Sequence, residues 1–209
     1  MKNDAQICCF VARHGRTTLN KDNCFRGNKN PDLDEKGIQQ AHELAKLFSH
    51  IDILCVVSSD KKRAANTAGI IAKAKNVVAH QTESLRALDV GDFSGLERTA
   101  ANEASLQTYI ENPDECIPGG ESLNDFKSRI NPCFKEAIEL FEETGIPPLL
   151  VAHSSIIHQV GGWLYQNHKK ILVDPGGCVA IYYQNGKIEA EPIFLPAAIQ
   201  PGVRSDTVS

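Results

Sequence analysis

The chain lacks the features that would place it in several large classes of protein. Aromatic residues are only 6% of the sequence, with one tryptophan and one methionine. No tract of lysine and arginine stands out against a net charge of −4, so bulk charge gives no case for a nucleic-acid or membrane partner. No apolar run approaches the ~20 residues that span a bilayer. The opening "MKNDAQICCFVA" has neither the apolar core nor the cleavage site of a secretory signal. Cysteine is present, but its pattern says little. Cys8, Cys9, Cys24, Cys55, Cys116, Cys133 and Cys178 are odd in number and include no CxxC pair, which suits neither a disulfide framework nor a zinc site. A reduced, cytoplasmic setting is the expectation, with no metal and no cofactor. Internal repeats, low-complexity segments and linkers are also missing. One domain over residues 1–195 is expected, with residues 84–120 as an elaboration over one end of a sheet and 196–209 as a loose tail.

What is present is an alternation of strand and helix patterns. "ICCFVA" (7–12), "DILCVVSS" (52–59) and "PPLLVAHSS" (147–155) are short continuous apolar runs, as in strands buried on both faces, and "NVVAHQ" (76–81) is a weaker one. Residues 34–50 read as a helix with Ile38, Ala41, Ala45 and Phe48 on one face. Residues 60–75 read as an alanine-rich helix that Asp60 can cap. Residues 98–111 form a third, ended by Asn112-Pro113. Residues 121–143 carry an apolar stripe that Pro132 should kink or break, and 154–168 are the last helix. "CVAIYYQNGKIEAEPIFL" (178–195) is a hairpin turning at Asn185-Gly186. This alternation predicts an α/β fold with a mainly parallel sheet.

The chemistry gathers where apolar runs end. The first ends in Arg13-His14-Gly15, with Arg16 following; the second in Ser58-Ser59-Asp60, with Arg63 one helical turn on; the third in His153-Ser154-Ser155. Ligands of open α/β sheets bind beyond the carboxyl ends of the strands. If these strands are parallel neighbours, histidines and arginines converge on one spot. A phosphate is the natural occupant, because guanidinium binds it bidentately. The helix opening at Ser154 adds its N–H groups.

Five segments in order, "RHGRTTLN", "PDLDEKGIQQA", "SSDKKRAANTA", "PGGESLNDFKSR" and "VAHSS", resemble the landmarks of the histidine phosphatase superfamily, also called phosphoglycerate mutase-like. The resemblance implies a three-layer α/β/α sandwich and metal-independent phosphoryl transfer. It makes His14 the nucleophile, which becomes phosphohistidine. It gives Arg13, Arg63 and His153 the equatorial phosphoryl oxygens. Asn20, Ser154 and Arg26 are expected as further phosphate or substrate contacts, Thr17 as support, and Gly15 as a tight turn. Lys61 and Lys62 read more simply as a solvated helix start. The other histidines, His158 among them, read as surface or helix-face residues.

One departure stands out. The family's usual Leu-x-Glu, whose glutamate protonates the leaving oxygen, is here "SLRALDVGDFSG", with Ala87 in the glutamate's place. Asp89 falls on the same face if the stretch is extended and is the candidate replacement acid; Glu121 is a weaker one. Three functions compete on these residues. The first is a phosphatase of a small phosphorylated metabolite. The second is a phosphoglycerate mutase, disfavoured because only Arg98 follows as a nearby cation. The third is a phosphate- or phosphopeptide-binding module that has lost its acid.

Overall fold

The computed structural model describes residues 6–27, 29–164, 171–184 and 187–193. Its centre is a six-stranded sheet in the order β3-β2-β4-β1-β5-β6. The strands are β1 (Gln6–Arg13), β2 (Val56–Ser59), β3 (Ala79–Thr82), β4 (Leu149–Ala152), β5 (Cys178–Gln184) and β6 (Lys187–Ile193). β1, β4, β2 and β3 pair in parallel, while β5 runs antiparallel to β1 and to β6. The mainly parallel sheet is as the sequence implies. The hairpin is present, with Gln184 opposite Lys187. Its Asn185-Gly186 turn, the tail and residues 165–168 of the expected last helix lie outside the described residues.

Two cores explain why the strands read as unbroken apolar runs. Cys9 and Val11 of β1, Leu150 of β4 and Val179 of β5 face one core. Phe10, Leu149, Val151 and Ala180 face the other. A strand buried on both faces keeps no polar side. The second core is closed by α2 (Glu35–Leu47) and α3 (Lys62–Lys75), with Leu44, Ala45, Ala64, Ala68 and Ile71 inward. The first is closed by α5 (Leu123–Thr144) and α6 (Ser154–Leu164), with Phe126, Ile130, Phe134, Ile156 and Val160 inward. Helices cover both faces, so the three-layer arrangement holds. A four-residue helix α1 (Thr18–Lys21) follows β1, and α4 (Ala100–Glu111) lies in the segment between β3 and α5.

Two local expectations are corrected and one is narrowed. Of the kink or break expected at Pro132 there is no break, since α5 runs from Leu123 to Thr144. The buried stripe of Phe126, Ile130, Phe134 and Ala137 outweighs one missing N–H. Asp60 does not cap α3. The residue before α3 is Lys61, without a side-chain cap, and Asp60 pairs with Arg86 instead. Strand β2 begins at Val56, four residues later than the apolar run suggests, because parallel pairing with β4 and β3 starts there. α2, by contrast, starts as its capping residue requires, with Asp34 accepting from Gly37 N at 2.8 Å.

Candidate active site

The carboxyl ends of the adjacent parallel strands β1 and β4 carry His14 and His153. Their backbones are tied by His14 N donating to Ala152 O at 3.0 Å. The imidazoles meet edge to face, with centroids 5.1 Å apart and planes at 64°. From the first turn of α3, Arg63 reaches the same point and donates Nε–H to His14 Nε2 at 3.2 Å. All three side chains are buried, at 1%, 2% and 1% exposure for His14, His153 and Arg63.

The ring of His14 is oriented by its own loop. Nδ1 donates to the carbonyl of Gly15 at 2.7 Å. That fixes the proton on Nδ1 and leaves the lone pair on Nε2. The loop is held in turn from two sides. Gly15 N donates to Thr67 Oγ1 of α3 at 3.1 Å, and Arg16 N donates to Gln40 Oε1 of α2 at 2.8 Å. Gly15 is not required for a left-handed backbone, as expected of a tight turn. It is required by proximity: a Cβ there would stand 2.3 Å from the Gly37 carbonyl oxygen, and one on Gly37 would stand 2.0 Å from the Arg16 carbonyl oxygen.

A cavity of about 170 Å³ opens over His14, Arg63 and His153, and its walls include Arg26, Ala87, Arg98, Ser154 and His158. No aspartate or glutamate lines it. Burial is the first cause that pushes the imidazoles of His14 and His153 well below the usual histidine range; the surrounding guanidinium groups push further. Burial also lowers Arg63 and Arg26 to about 10 and Arg13 to about 9. Among the described residues, both ring nitrogens of His153 and Nε of Arg13 are buried without a hydrogen-bond partner. A buried donor left unmade costs about 1–3 kcal/mol. An anion with several oxygens satisfies this set and offsets the gathered positive charge.

The expected site residues divide into those that meet here and those that do not. His14, Arg63, His153, Ser154 and Arg26 all line the cavity. Arg13 lines an adjoining cavity of about 210 Å³, which shares Arg98, Ser154 and His158 with the first. Its Nη1 donates to Val173 O at 2.7 Å. Arg16, the second cation beside His14, turns away to Asp34 at 2.8 Å. Asn20 is absent from the cavity wall; its Oδ1 accepts from Thr17 N and Thr17 Oγ1 at 3.0 and 2.9 Å.

Asp89 is also absent from the wall, although Ala87, Leu88 and Val90 are part of it. Its Oδ1 accepts from Gly91 N at 3.1 Å, the loop-stabilising role of an aspartate at a turn. The alternation argument that made it an acid needs an extended strand, and residues 86–90 form no strand. Glu121 is structural: it accepts from Asp89 N at 2.9 Å and pairs with Arg129 at 2.6 Å.

Two wall residues were not among the site residues expected from sequence. Arg98 stacks over Phe25 at 4.9 Å and donates to Glu103 at 3.0 Å. His158, read as an ordinary helix-face residue, borders both cavities. Its spacing was the available signal, since four residues after Ser154 puts it on the same face of α6.

Comparison with known proteins agrees with this geometry. The family description of the histidine phosphatase superfamily (branch 1) matches residues 9–193. A "Broad-specificity phosphatase" of Saccharomyces cerevisiae is 31% identical over 185 residues, covering 80% of this chain and 75% of that protein. A "Probable phosphoglycerate mutase" of Salmonella choleraesuis is 31% identical over 148 residues, covering 69% and 68%. Among solved structures, a phosphoglycerate mutase from Bacillus anthracis superposes with a TM-score of 0.76 at 25% identity, over 92% of this chain and 95% of that one. A mycobacterial glucosyl-3-phosphoglycerate phosphatase shares the fold with a TM-score of 0.72 at 24% identity, over 90% and 98%.

Proposed function

The chain belongs to the histidine phosphatase superfamily, and on that basis we propose that it is a metal-independent phosphatase of small phosphorylated metabolites acting through phosphohistidine on His14. The observation that carries the reading is the ring of His14. Its proton is committed to the Gly15 carbonyl, and its Nε2 lone pair faces the Arg63 Nε–H in a cavity of arginines without a carboxylate.

In the first half-reaction Nε2 forms a bond to phosphorus, and the bond from phosphorus to the ester oxygen breaks. The electron pair leaves with that oxygen, which takes up a proton. In the second, a water oxygen bonds to phosphorus, the P–N bond breaks and its electrons return to Nε2. Arg63, Arg26 and the protonated form of His153 take the charge that collects on the phosphoryl oxygens. Preset donors of this kind supply most of what phosphoryl transfer needs. His153 is held neutral by burial, and an arriving phosphate dianion favours its charged form. The cytoplasm is the setting proposed for this chemistry, since the cysteines are free.

The test is hydrolysis of p-nitrophenyl phosphate with a chelator present, wild type against His14→Ala, with acid-labile phosphate on the protein measured in parallel. Release of phosphate by the wild type alone, with a trapped phosphohistidine, is expected. If transfer occurs only between phosphoglycerates, depends on a bisphosphate and releases little phosphate, the chain is a mutase. Binding of vanadate without turnover makes it a phosphate-binding module.

A further inference from the structure

An alkoxide leaves phosphorus poorly unless it is protonated as it departs, and general acids contribute about 10²–10⁴-fold to such steps. The cavity wall has Ala87 and no carboxylate. Asp89 and Glu121 are held outside it by Gly91 and Arg129. Of the wall groups that can release a proton, His14 is the nucleophile and His153 is spent on the phosphoryl oxygens. Arg26 and Arg63, at about 10, are weak acids at neutral pH, and Arg98 is paired with Glu103 at 3.0 Å. Cys24 donates its Sγ–H to the Asp22 carbonyl at 3.3 Å. His158 remains.

We propose that His158 is the catalytic acid of this site, protonating the leaving oxygen of the substrate. The proposal rests on the phosphatase reading above. His158 stands at the border of two cavities. On one side lie His14 and Arg63, where the phosphoryl group is attacked. On the other, Arg13, Leu172, Val173 and Asp174 line a space of about 210 Å³ that suits the alcohol portion of a substrate. The ester oxygen joins these two portions, so it crosses from one cavity to the other past His158. Position on α6 secures the geometry: Ser154 opens the helix at the phosphate and His158 follows one turn later on the same face.

The proton balance closes over the full cycle. The His158 imidazolium gives its proton to the ester oxygen as the P–O bond breaks, releasing a neutral alcohol. The neutral imidazole then takes a proton from the water that attacks phosphohistidine, restoring the imidazolium. Phosphate leaves and no other reactant is consumed.

Two esters separate the acid from every other role. p-Nitrophenolate leaves without a proton; the alkoxide of glycerol 2-phosphate does not. Wild type, His158→Gln and His158→Asn are assayed on both with a chelator present. The expected result is a loss of about 10²-fold in kcat/KM on glycerol 2-phosphate in both variants, against a loss of a few-fold on the aryl ester. The ratio of the two rates does not depend on how much of a variant is folded. Equal losses on both esters, or none on either, overturn the proposal. Wild-type turnover of the aryl ester alone also overturns it and leaves the phosphatase reading standing. Turnover of neither ester, with no phosphohistidine formed, overturns both.

Discussion

Each ring nitrogen of His14 has its own neighbour, and each neighbour can be tested. Arg63 gives Nε–H to His14 and Nη1–H to the Lys29 carbonyl at 2.9 Å. A lysine has one nitrogen and cannot make both bonds with the same geometry. Arg63→Lys is therefore expected to lower kcat/KM on an aryl phosphate by about 10–100-fold, the size of one charge-assisted hydrogen bond of roughly 1.5–3 kcal/mol. Asp89 sits at the opposite extreme. Its carboxylate accepts from the Gly91 amide and stays out of the cavity, and asparagine keeps an acceptor oxygen at the same place. Asp89→Asn should hold turnover of both aryl and alkyl esters within ~3-fold; a collapse on alkyl esters alone would return the acid to Asp89.

Among the elements, α5 carries more of the site than its distance suggests. Its Arg129 donates Nη1 to the Ser84 and Arg86 carbonyls at 2.8 and 3.1 Å and Nη2 to Glu121, so it fastens the stretch that presents Ala87 to the cavity. Removing that guanidinium leaves several carbonyls and a carboxylate half-buried and unmatched. Arg129→Met should cost about 2–4 kcal/mol in chemical denaturation and raise KM as the wall loosens. Pro132 invites the reverse experiment. It is exposed on α5 and supplies no N–H to the helix, so Pro132→Ala should stabilise the protein by about 1–3 kcal/mol without altering activity. The same helix shows what a sequence conceals. Its apolar stripe was readable, but whether the stripe would carry the helix through a proline depended on burial against β1, which no local pattern states. His14, Arg63 and His153 were legible because each ends a strand or begins the helix after it. Arg98 and His158 were not, because their place in the wall is set by how α6 and the segment before α4 fall against the sheet.

For the molecule as a whole, two buried imidazoles tie stability to pH. Both are held well below the usual 6.5 when folded, whereas the unfolded chain takes up protons at about 6.5. The stabilisation is fully present above that value. It is lost as pH falls, by up to about 1.4 kcal/mol per pH unit for each ring, until the folded forms protonate as well. Denaturation midpoints measured from pH 7.5 to 5 should drop accordingly. Vanadate supplies the missing counter-charge and should flatten the fall, adding about 2.7 kcal/mol at a hundred times its Kd. A midpoint indifferent to pH in this range would mean that neither ring is held below its usual value.

The contact between Gly15 and Gly37 bears on how the protein tolerates change. Neither position admits even a methyl group, and neither can give way to rescue the other, because what each would strike is main chain. The intervening stretch is therefore a handle pinned at both ends. Its middle carries Arg26 of the cavity wall and the Lys29 carbonyl that accepts from Arg63, so side-chain exchanges around these two are where new substrate preferences can be engineered. Its two glycines are where a complete substitution survey should return nothing that works.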